Sequence, residues 1–466
     1  GADRAGRWRE VCQEGREEER VVAYSYLSWA QLKLELARRL GDPSKVFWPD
    51  AELGLCLDEA LRYWSATAEY WRDRGTFNAT AGTAFYDLAS VPLRNGAAEA
   101  LRPRTATDQS LLQHIQLALM EPLSATGWSG TTQFTLAHVQ AAMQRRRNQF
   151  LAETGFVLTR YVQSGVSAPE SRVAYANDSL IDVRRLSWIQ DSTYTQLWRA
   201  DRWETQALSP SWNTTPGTPG IWSLVTTPNL QVELTPAPLG NGQLEWIAIL
   251  AGSDLDVTTG VTLGVPDDWM WVIKYGVLSD LLEQDGQSRD FARADYCRKR
   301  WQEGMQIARR AASVLAAEVN GQMVPVTTLN ELDQLSPGWQ NTTSSAPSII
   351  GLGGLDLLAL SGVPTGTSSV TLDVVRSAPV PTNDASMVQL GREHLEPVLE
   401  YAAHVATFKM GGAEFLMTVP KWQGTIESAV NFNGRLQAHA RFYSQLFGRG
   451  TQERRERPMR EEKEEN

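Results

Sequence analysis

The sequence predicts an α+β fold, with N-terminal helical hairpins followed by two tandem copies of a β-hairpin or sheet module that each end in a helix pair. One observation behind this prediction is a repeated motif. Residues 208–212 are Leu-Ser-Pro-Ser-Trp, and residues 335–339 are Leu-Ser-Pro-Gly-Trp. A second is that a Pro and a Tyr follow each Trp, separated by the same 37 residues in both places. Matching residues at a nearly constant offset indicate a tandem duplication.

The duplication is assigned to residues 200–316 and 325–445. In each copy a loop rich in Pro, Thr and Gly carries the Trp, and two segments with alternating apolar residues follow it, which predicts two strands. These strands are expected to form β-hairpins at 230–250 and 356–375. Because the offset is constant, we expect the two copies to superpose with the same strand order.

Helical periodicity ends each copy. The helices are expected at 267–283 and 288–312 in the first copy, and at 392–409 and 414–447 in the second. The aromatic residues at matching positions are expected to be structural anchors, namely Trp212, Trp339, Tyr275 and Tyr401.

The N-terminal part divides into a charged arm at residues 1–26 and a helical region with short strands at 27–199. Ser28, followed three residues later by Gln31, is a capping box that begins a first helix. A second helix begins at Pro49, since proline is favoured in the first helical turn. The two helices are expected to pack as a hairpin.

Two further elements are predicted before the duplication. A helix begins near Thr135, and a β-hairpin joins residues 181–189 to residues 194–198 across a turn at Asp191 and Ser192.

Composition limits the function classes. The chain of 466 residues is 42% hydrophobic and 21% charged, as in a globular protein, and its net charge of −10 opposes any dominant phosphate-binding role. Three cysteines lie far apart, which argues against a disulfide framework and a zinc site. No run of 18 apolar residues is present and the N-terminus is charged, so neither a membrane span nor a signal peptide is expected.

No pattern of catalytic, cofactor-binding or metal-binding residues is found in the sequence. Phosphate-binding loops and serine nucleophile motifs are absent, and none of the five histidines lies four residues from another. Two acidic pairs remain, Asp254 with Asp256 in a turn and Asp267 with Asp268 at a helix start, where carboxylates favour the helix dipole. We therefore expect no enzymatic activity.

Seventeen tryptophans raise the question of sugar-binding platforms. Three lie on apolar helix stripes and are expected in the core, namely Trp64, Trp71 and Trp269. Three others lie in or beside loops, namely Trp212, Trp222 and Trp339. These could bind sugars, but the repeated motif favours a role in anchoring a loop onto its own module.

Two groups of arginines are candidates for contact with a partner. Arg145, Arg146 and Arg147 lie together on a predicted helix, and Arg454, Arg455 and Arg457 lie in a charged tail at residues 448–466. The tail carries too few apolar residues to form a core of its own.

A series of short motifs carries a resemblance to a known family. In chain order they are Trp-Pro-Asp-Ala-Glu-Leu at 48–53, Tyr-Asp-Leu at 86–88, Val-Arg-Arg at 183–185, Pro-Ser-Trp at 210–212, Gly-Thr-Pro at 217–219, Leu-Thr-Pro-Ala-Pro at 234–238, Val-Pro-Asp-Asp at 265–268, Tyr275 and Asp-Gly at 285–286. Their order resembles that of head-to-tail adaptor (neck, or connector) proteins of tailed bacteriophages, over residues 27–315 and through the second copy to about 445. Such adaptors carry the β and helical part once, whereas this chain carries it twice.

The resemblance implies a structural virion protein that forms a ring of about twelve copies at the portal vertex. Its partners would be the portal protein, on which the C-terminal tail would dock, and a downstream tail or nozzle protein. DNA would pass through the channel without sequence-specific binding, and assembly would take place in the host bacterial cytoplasm. Two alternatives remain: another tail protein, of the nozzle or tube type, and a carbohydrate-binding virion protein.

Overall fold

The computed structural model describes residues 26–89, 102–128, 134–175, 179–208, 211, 215–226, 230–284, 289–311 and 313–433. Several expectations lie outside these residues: the charged arm up to residue 25, the anchor Trp212, and the tail with Arg454, Arg455 and Arg457.

The described residues contain ten α-helices and two short 3₁₀ helices. The α-helices are α1 (Trp29–Arg39), α2 (Asp50–Ala68), α3 (Asp108–Leu119), α4 (Leu136–Thr154), α5 (Arg202–Leu208), α6 (Met270–Glu283), α7 (Phe291–Ala308), α8 (Leu329–Leu335), α9 (Arg392–Thr407) and α10 (Gly412–Phe432). The 3₁₀ helices are Asp267–Trp269 and Trp339–Asn341.

Strands make up the rest of the regular structure, and the fold is α+β, as predicted. They are β1 (Arg72–Ala79), β2 (Phe85–Asp87), β3 (Thr159–Val166), β4 (Arg172–Ala174), β5 (Leu180–Gln190), β6 (Thr193–Arg199), β7 (Ile221–Val225), β8 (Gln231–Thr235), β9 (Gly242–Leu250), β10 (Val314–Val319), β11 (Gln322–Val324), β12 (Val326–Thr328), β13 (Thr343–Ser344), β14 (Ile350–Gly353), β15 (Leu357–Leu360), β16 (Val363–Pro364) and β17 (Ser368–Val375).

The predicted N-terminal helices are confirmed. The Ser28 hydroxyl accepts a hydrogen bond from the Gln31 backbone N–H at 3.3 Å, and the Gln31 side chain accepts one from the Ser28 N–H at 2.9 Å. Helix α2 follows Pro49, and α1 and α2 pack against each other. The helix expected near Thr135 is also present, because the Thr135 side chain caps α4.

A seven-stranded sheet forms the first β layer, with strand order β3-β9-β5-β6-β7-β8-β4. Its two edge strands come close together, since the Gln163 side chain on β3 donates to the Ala174 carbonyl on β4 at 3.1 Å. We call this layer the curled sheet. The predicted hairpin of β5 and β6 is confirmed, and its turn residues Asp191 and Ser192 both have positive φ angles.

Within the two predicted copies, the strand partners differ from the prediction. Strand β8 pairs with β7 and β4, and β9 pairs with β3 and β5, so residues 230–250 do not form a hairpin. Strands β15 and β17 lie in different four-stranded sheets, of order β12-β14-β15-β2 and β1-β17-β10-β11. The expectation that the two copies share a strand order is therefore wrong. An alternating pattern predicts a strand, but it does not choose the partner of that strand.

Strands from the two ends of the chain pair with each other. Strand β1 runs antiparallel to β17 from Arg72 opposite Val375 to Ala79 opposite Ser368. Strand β2 is likewise antiparallel to β15. Strands β1 and β2 of the N-terminal region therefore share two sheets with strands from the C-terminal half of the chain.

Helix pairs lie where both copies were expected to end. Helix α6 packs on α7, and α9 packs on α10. Helix α10 ends at Phe432, since Asn433 leaves the helical conformation with φ −113° and ψ 96°. The continuation of this helix that was expected up to residue 447 lies outside the described residues. Helix α6 is the centre of the helical layer, since it is apolar on every side and only Asp280 and Glu283 of its residues are not buried.

The closeness of α6 and α7 depends on a glycine. A Cβ atom placed on Gly304 of α7 would lie 2.5 and 2.6 Å from the two methyl groups of Val272 on α6. We predict that Gly304→Ala lowers the free energy of unfolding by about 1–3 kcal/mol, as overpacked cores do. The matched control is Gly54→Ala on α2, where a Cβ would meet nothing within 4 Å.

Because alanine favours a helix over glycine by about 0.5–1 kcal/mol, Gly54→Ala should leave stability unchanged or raise it. Urea unfolding of the two variants gives the comparison. Equal changes in both variants would show that the helix contact at Gly304 is not tight.

Candidate functional site

Charged groups lie inside the helical layer, and Arg300 of α7 is at their centre. Its side chain is fully buried and forms an ion pair with Glu303, one helical turn along, and donates a hydrogen bond to the Tyr401 hydroxyl. The guanidinium carbon lies 4.6 to 5.3 Å from five ring centroids, which belong to Tyr63, Trp271, Tyr275, Tyr401 and Trp422. These rings come from α2, α6, α9 and α10, so the cation joins four helices to α7.

A second buried charge pair lies beside the first. Glu59 of α2 forms an ion pair with Lys274 of α6, and it accepts a hydrogen bond from the Tyr401 hydroxyl at 3.2 Å. Burial alone would raise the pKa of the Glu59 carboxyl, but Lys274 and His114 outweigh burial and lower this pKa to about 2. Glu59 is therefore ionised and bonded to Lys274 and Tyr401, and it cannot act as a general acid near neutral pH.

His114 extends this network toward the surface. Its ring nitrogens lie 3.5 Å from an Asp58 oxygen and 3.8 Å from a Glu59 oxygen. Burial lowers the pKa of His114, but the hydrogen bonds and charges of these two carboxylates dominate and raise it. Arg62 completes the group with an ion pair to Asp58 at 2.8 Å.

The two acidic pairs singled out in the sequence hold the fold together. Asp267 accepts hydrogen bonds from the Thr105 hydroxyl and the Ala106 N–H, and Asp268 accepts them from the Ser65 hydroxyl and the Ala378 N–H. Asp256 closes its own turn through Thr258, and Asp254 accepts a bond from Gln144. Across the part of the chain that the structure describes, no group of three or more His, Cys, Asp or Glu residues could hold a metal ion.

The anchor residues inside the described ranges are buried. Tyr275 and Tyr401, which occupy matching positions in the sequence, both face Arg300. Trp339 donates its indole N–H to Asp333 at 2.8 Å, and Trp222 lies in the core of the curled sheet. Burial excludes Trp222 and Trp339 as exposed sugar platforms.

The three arginines of α4 face different surroundings, because successive helix residues are rotated by about 100°. Arg145 and Arg146 both bond to Asp280 of α6, and Arg147 is fully buried and donates to the Ser253 carbonyl at 2.7 Å. Of the three, only Arg145 has a largely exposed side chain, at 59%. Arg147 therefore cannot contact a partner chain, and Arg145 and Arg146 primarily hold α4 against α6.

One exposed apolar surface was missed in the sequence. On the outer side of α10, Leu416 and Met417 are 60% and 76% exposed, and Met410 is exposed just before the helix. The inner side of α10 is also apolar and packs on α9 and α2 through Phe415, Trp422, Ile426 and Ala429. The missed signal is a second apolar stripe with helical spacing, at residues 413, 416, 417 and 420.

The loop before α2 carries two further exposed apolar residues and lies beside the turn that leads into α10. Lys409 donates to the Phe47 carbonyl at 3.0 Å and lies 4.3 Å above the Phe47 ring, which places Phe47 beside the turn between α9 and α10. Val46 is 81% exposed and Phe47 is 47% exposed. We call Val46, Phe47, Met410, Leu416 and Met417 the α10 surface.

None of the helices that the structure describes has both the length and the apolar character needed to cross a membrane. Exposed apolar groups such as the α10 surface are of the kind that proteins use for interaction.

His404 of α9 gives the helical layer a dependence on pH. It is fully buried, bonds to the Tyr296 hydroxyl at 2.7 Å and the Thr418 hydroxyl at 2.8 Å, and stacks on Trp422. Burial, followed by the charge of Arg300, lowers the pKa of His404 well below its usual value. Below pH about 6.5 the unfolded chain therefore binds a proton at this histidine that the folded chain does not bind.

We predict that this one group lowers the free energy of unfolding by about 1.4 kcal/mol for each pH unit below about 6.5. His404→Gln should remove that part of the slope, whatever its effect on absolute stability. Denaturant unfolding between pH 8 and pH 5 measures both slopes. Parallel slopes in the two proteins would contradict a neutral buried His404.

Comparison with known proteins does not identify the chain. Neither the models of known protein families nor the curated proteins contain a match to it.

Proposed function

We propose that this chain is a structural virion protein, which assembles with copies of itself into a ring at the portal vertex and joins the head of a tailed bacteriophage to its tail. The main structural support for self-assembly is the α10 surface. The order of the short sequence motifs supports the position of the ring, because it resembles that of head-to-tail adaptors.

Large apolar side chains clustered on the exposed side of a helix are typical of a surface that a partner covers. In the single chain, α10 covers its inner side against α9 and α2, while Leu416 and Met417 remain largely exposed. A ring of identical subunits covers such a surface by contact with a different surface of the next copy.

The buried charges support a structural role over an enzymatic one. Glu59, Glu303 and Asp58 are each paired with a cation inside the protein. Carboxylates held in this way stabilise a fold, but they are poor proton donors or acceptors for a substrate. The proposal therefore assigns no catalytic activity to the chain.

The remaining partners follow from the position of the ring. We assign the portal protein to one side and a downstream tail or nozzle protein to the other, with DNA passing through the channel. A net charge of −10 suits a channel component, because a predominantly acidic wall lets DNA move past without strong binding. The protein would be assembled in the host bacterial cytoplasm and located in the virion.

The α10 surface generates a direct test. We predict that the purified wild-type chain forms a closed ring of about twelve copies and that the double variant Leu416→Glu and Met417→Glu is a monomer, because two carboxylates would be buried at each contact. The free energy of unfolding of the monomer should change by less than about 0.5 kcal/mol, since both residues are exposed. Native mass spectrometry gives the stoichiometry.

The matched control is Met323→Glu on β11, because Met323 is 66% exposed and does not belong to the α10 surface. This variant should still form the ring. A wild-type chain that stays monomeric at every concentration would overturn the self-assembly, and a double variant that forms normal rings would show that another surface makes the contact.

A further inference from the structure

A cavity of about 450 Å³ lies where the curled sheet meets the segments at 82–85 and 340–363. Four segments form its walls: the turn at 82–85, strand β3, the turn between β5 and β6, and the 3₁₀ helix Trp339–Asn341 with β13 and β16 beside it. Its volume is within the usual range for small-molecule sites. Neither the α10 surface nor the Arg300 network contributes a residue to it.

The walls are held in place before any ligand binds. The Asn341 side chain accepts from the Tyr194 N–H at 2.6 Å and donates to the Tyr194 carbonyl at 2.7 Å, which fixes the turn between β5 and β6. The Tyr86 hydroxyl donates to the Thr83 carbonyl at 2.9 Å, and Gly82 donates its N–H to Pro364, which fixes the opposite turn. A site of this kind loses little entropy on binding.

Arg160 supplies a cation with unused donors. Its Nε donates to Glu245 at 2.7 Å, and its guanidinium lies 4.8 Å above the Phe85 ring. Glu245 also accepts hydrogen bonds from Arg185 at 3.2 Å and from Gln340 at 2.8 Å, so Arg160 is one of three donors to this carboxylate. The two terminal amino groups of Arg160 donate to no acceptor among the described residues, and they have the geometry that binds a carboxylate.

Residues with hydroxyl side chains occupy four other lining positions, namely Thr83, Ser192, Thr193 and Thr343. Ser192, Thr193 and Thr343 are exposed, so their hydroxyls are open to solvent and to a ligand. The Tyr194 ring adds an apolar face on the same wall. A ligand that bonds to these hydroxyls and to Arg160 together would carry several hydroxyls of its own as well as one anionic group.

From these contacts we infer that the cavity binds an acidic sugar, whose carboxylate pairs with Arg160 and whose ring hydroxyls bond to the threonine and serine hydroxyls. A neutral sugar would leave the Arg160 amino groups without a partner, and a simple carboxylate would leave the hydroxyls unused. Since Arg160 and Arg185 are balanced by Glu245 and Asp333, the local charge is close to neutral and the affinity is expected to be weak, with a Kd of about 1 mM.

The test is a calorimetric titration of the full chain with digalacturonate, with neutral digalactose and with acetate as comparison ligands. Digalacturonate should bind at least about tenfold more tightly than either comparison ligand. Arg160→Gln should remove this preference for the acid, while Arg74→Gln, which changes an exposed arginine on β1, should keep it. Thr343→Val should weaken digalacturonate binding several-fold without changing the free energy of unfolding.

Three results would overturn the inference: no binding of digalacturonate up to about 20 mM, where a 1 mM site would be saturated; equal binding of the neutral sugar; or an unchanged affinity in Arg160→Gln. Binding of acetate as tight as that of digalacturonate would also overturn it, because the sugar ring would then contribute nothing. The titration is independent of ring formation, so its failure leaves the proposed ring to its own test.

Discussion

Arg300 places a positive charge where five helices meet, and five aromatic rings and one carboxylate surround it. A charge in such a place is tolerated only because each contact compensates part of the lost hydration. The compensation comes from α2, α6, α9 and α10 together, so the position of each helix constrains the others. Tyr275 and Tyr401, each of which lies 37 residues after a Pro in the sequence, are both part of this arrangement.

The same arrangement explains how the two sides of α10 differ. Trp422 and Phe415 on its inner side pack around Tyr296 and His404, next to Arg300, and this orientation turns Leu416 and Met417 outward. The packing around Arg300 therefore fixes the orientation of α10. This orientation exposes the apolar side chains of α10 to solvent. The exposed apolar surface is the structural basis of the proposed self-assembly.

Local signals in the sequence predicted local structure well. The capping box at Ser28, the Thr135 cap and the turn at Asp191 each depend on neighbouring residues, and each is present. Strand pairing depends on contacts across long stretches of chain, such as Arg72 with Val375, and alternation alone cannot specify it. Arg147 shows the same limit. A run of three arginines suggests an exposed surface, and only the structure shows that the side of the helix carrying Arg147 is buried. At the candidate site, the apolar stripe at Leu416 and Met417 could be predicted from its helical spacing. The aromatic rings around Arg300 could not, because they come from helices that lie far apart in the sequence.

Hydrogen exchange measured by mass spectrometry on Arg300→Met, with Arg298→Met as an exposed control on the same helix, tests the coupling of the helices most directly. Loss of the cation removes the charge paired with the buried Glu303 carboxylate, which costs about 3–5 kcal/mol. The account predicts that amide exchange in α2, α6, α9 and α10 rises together with that in α7, while the curled sheet keeps its protection and Arg298→Met behaves as the wild type. A rise confined to α7, or equal behaviour of the two variants, would contradict it.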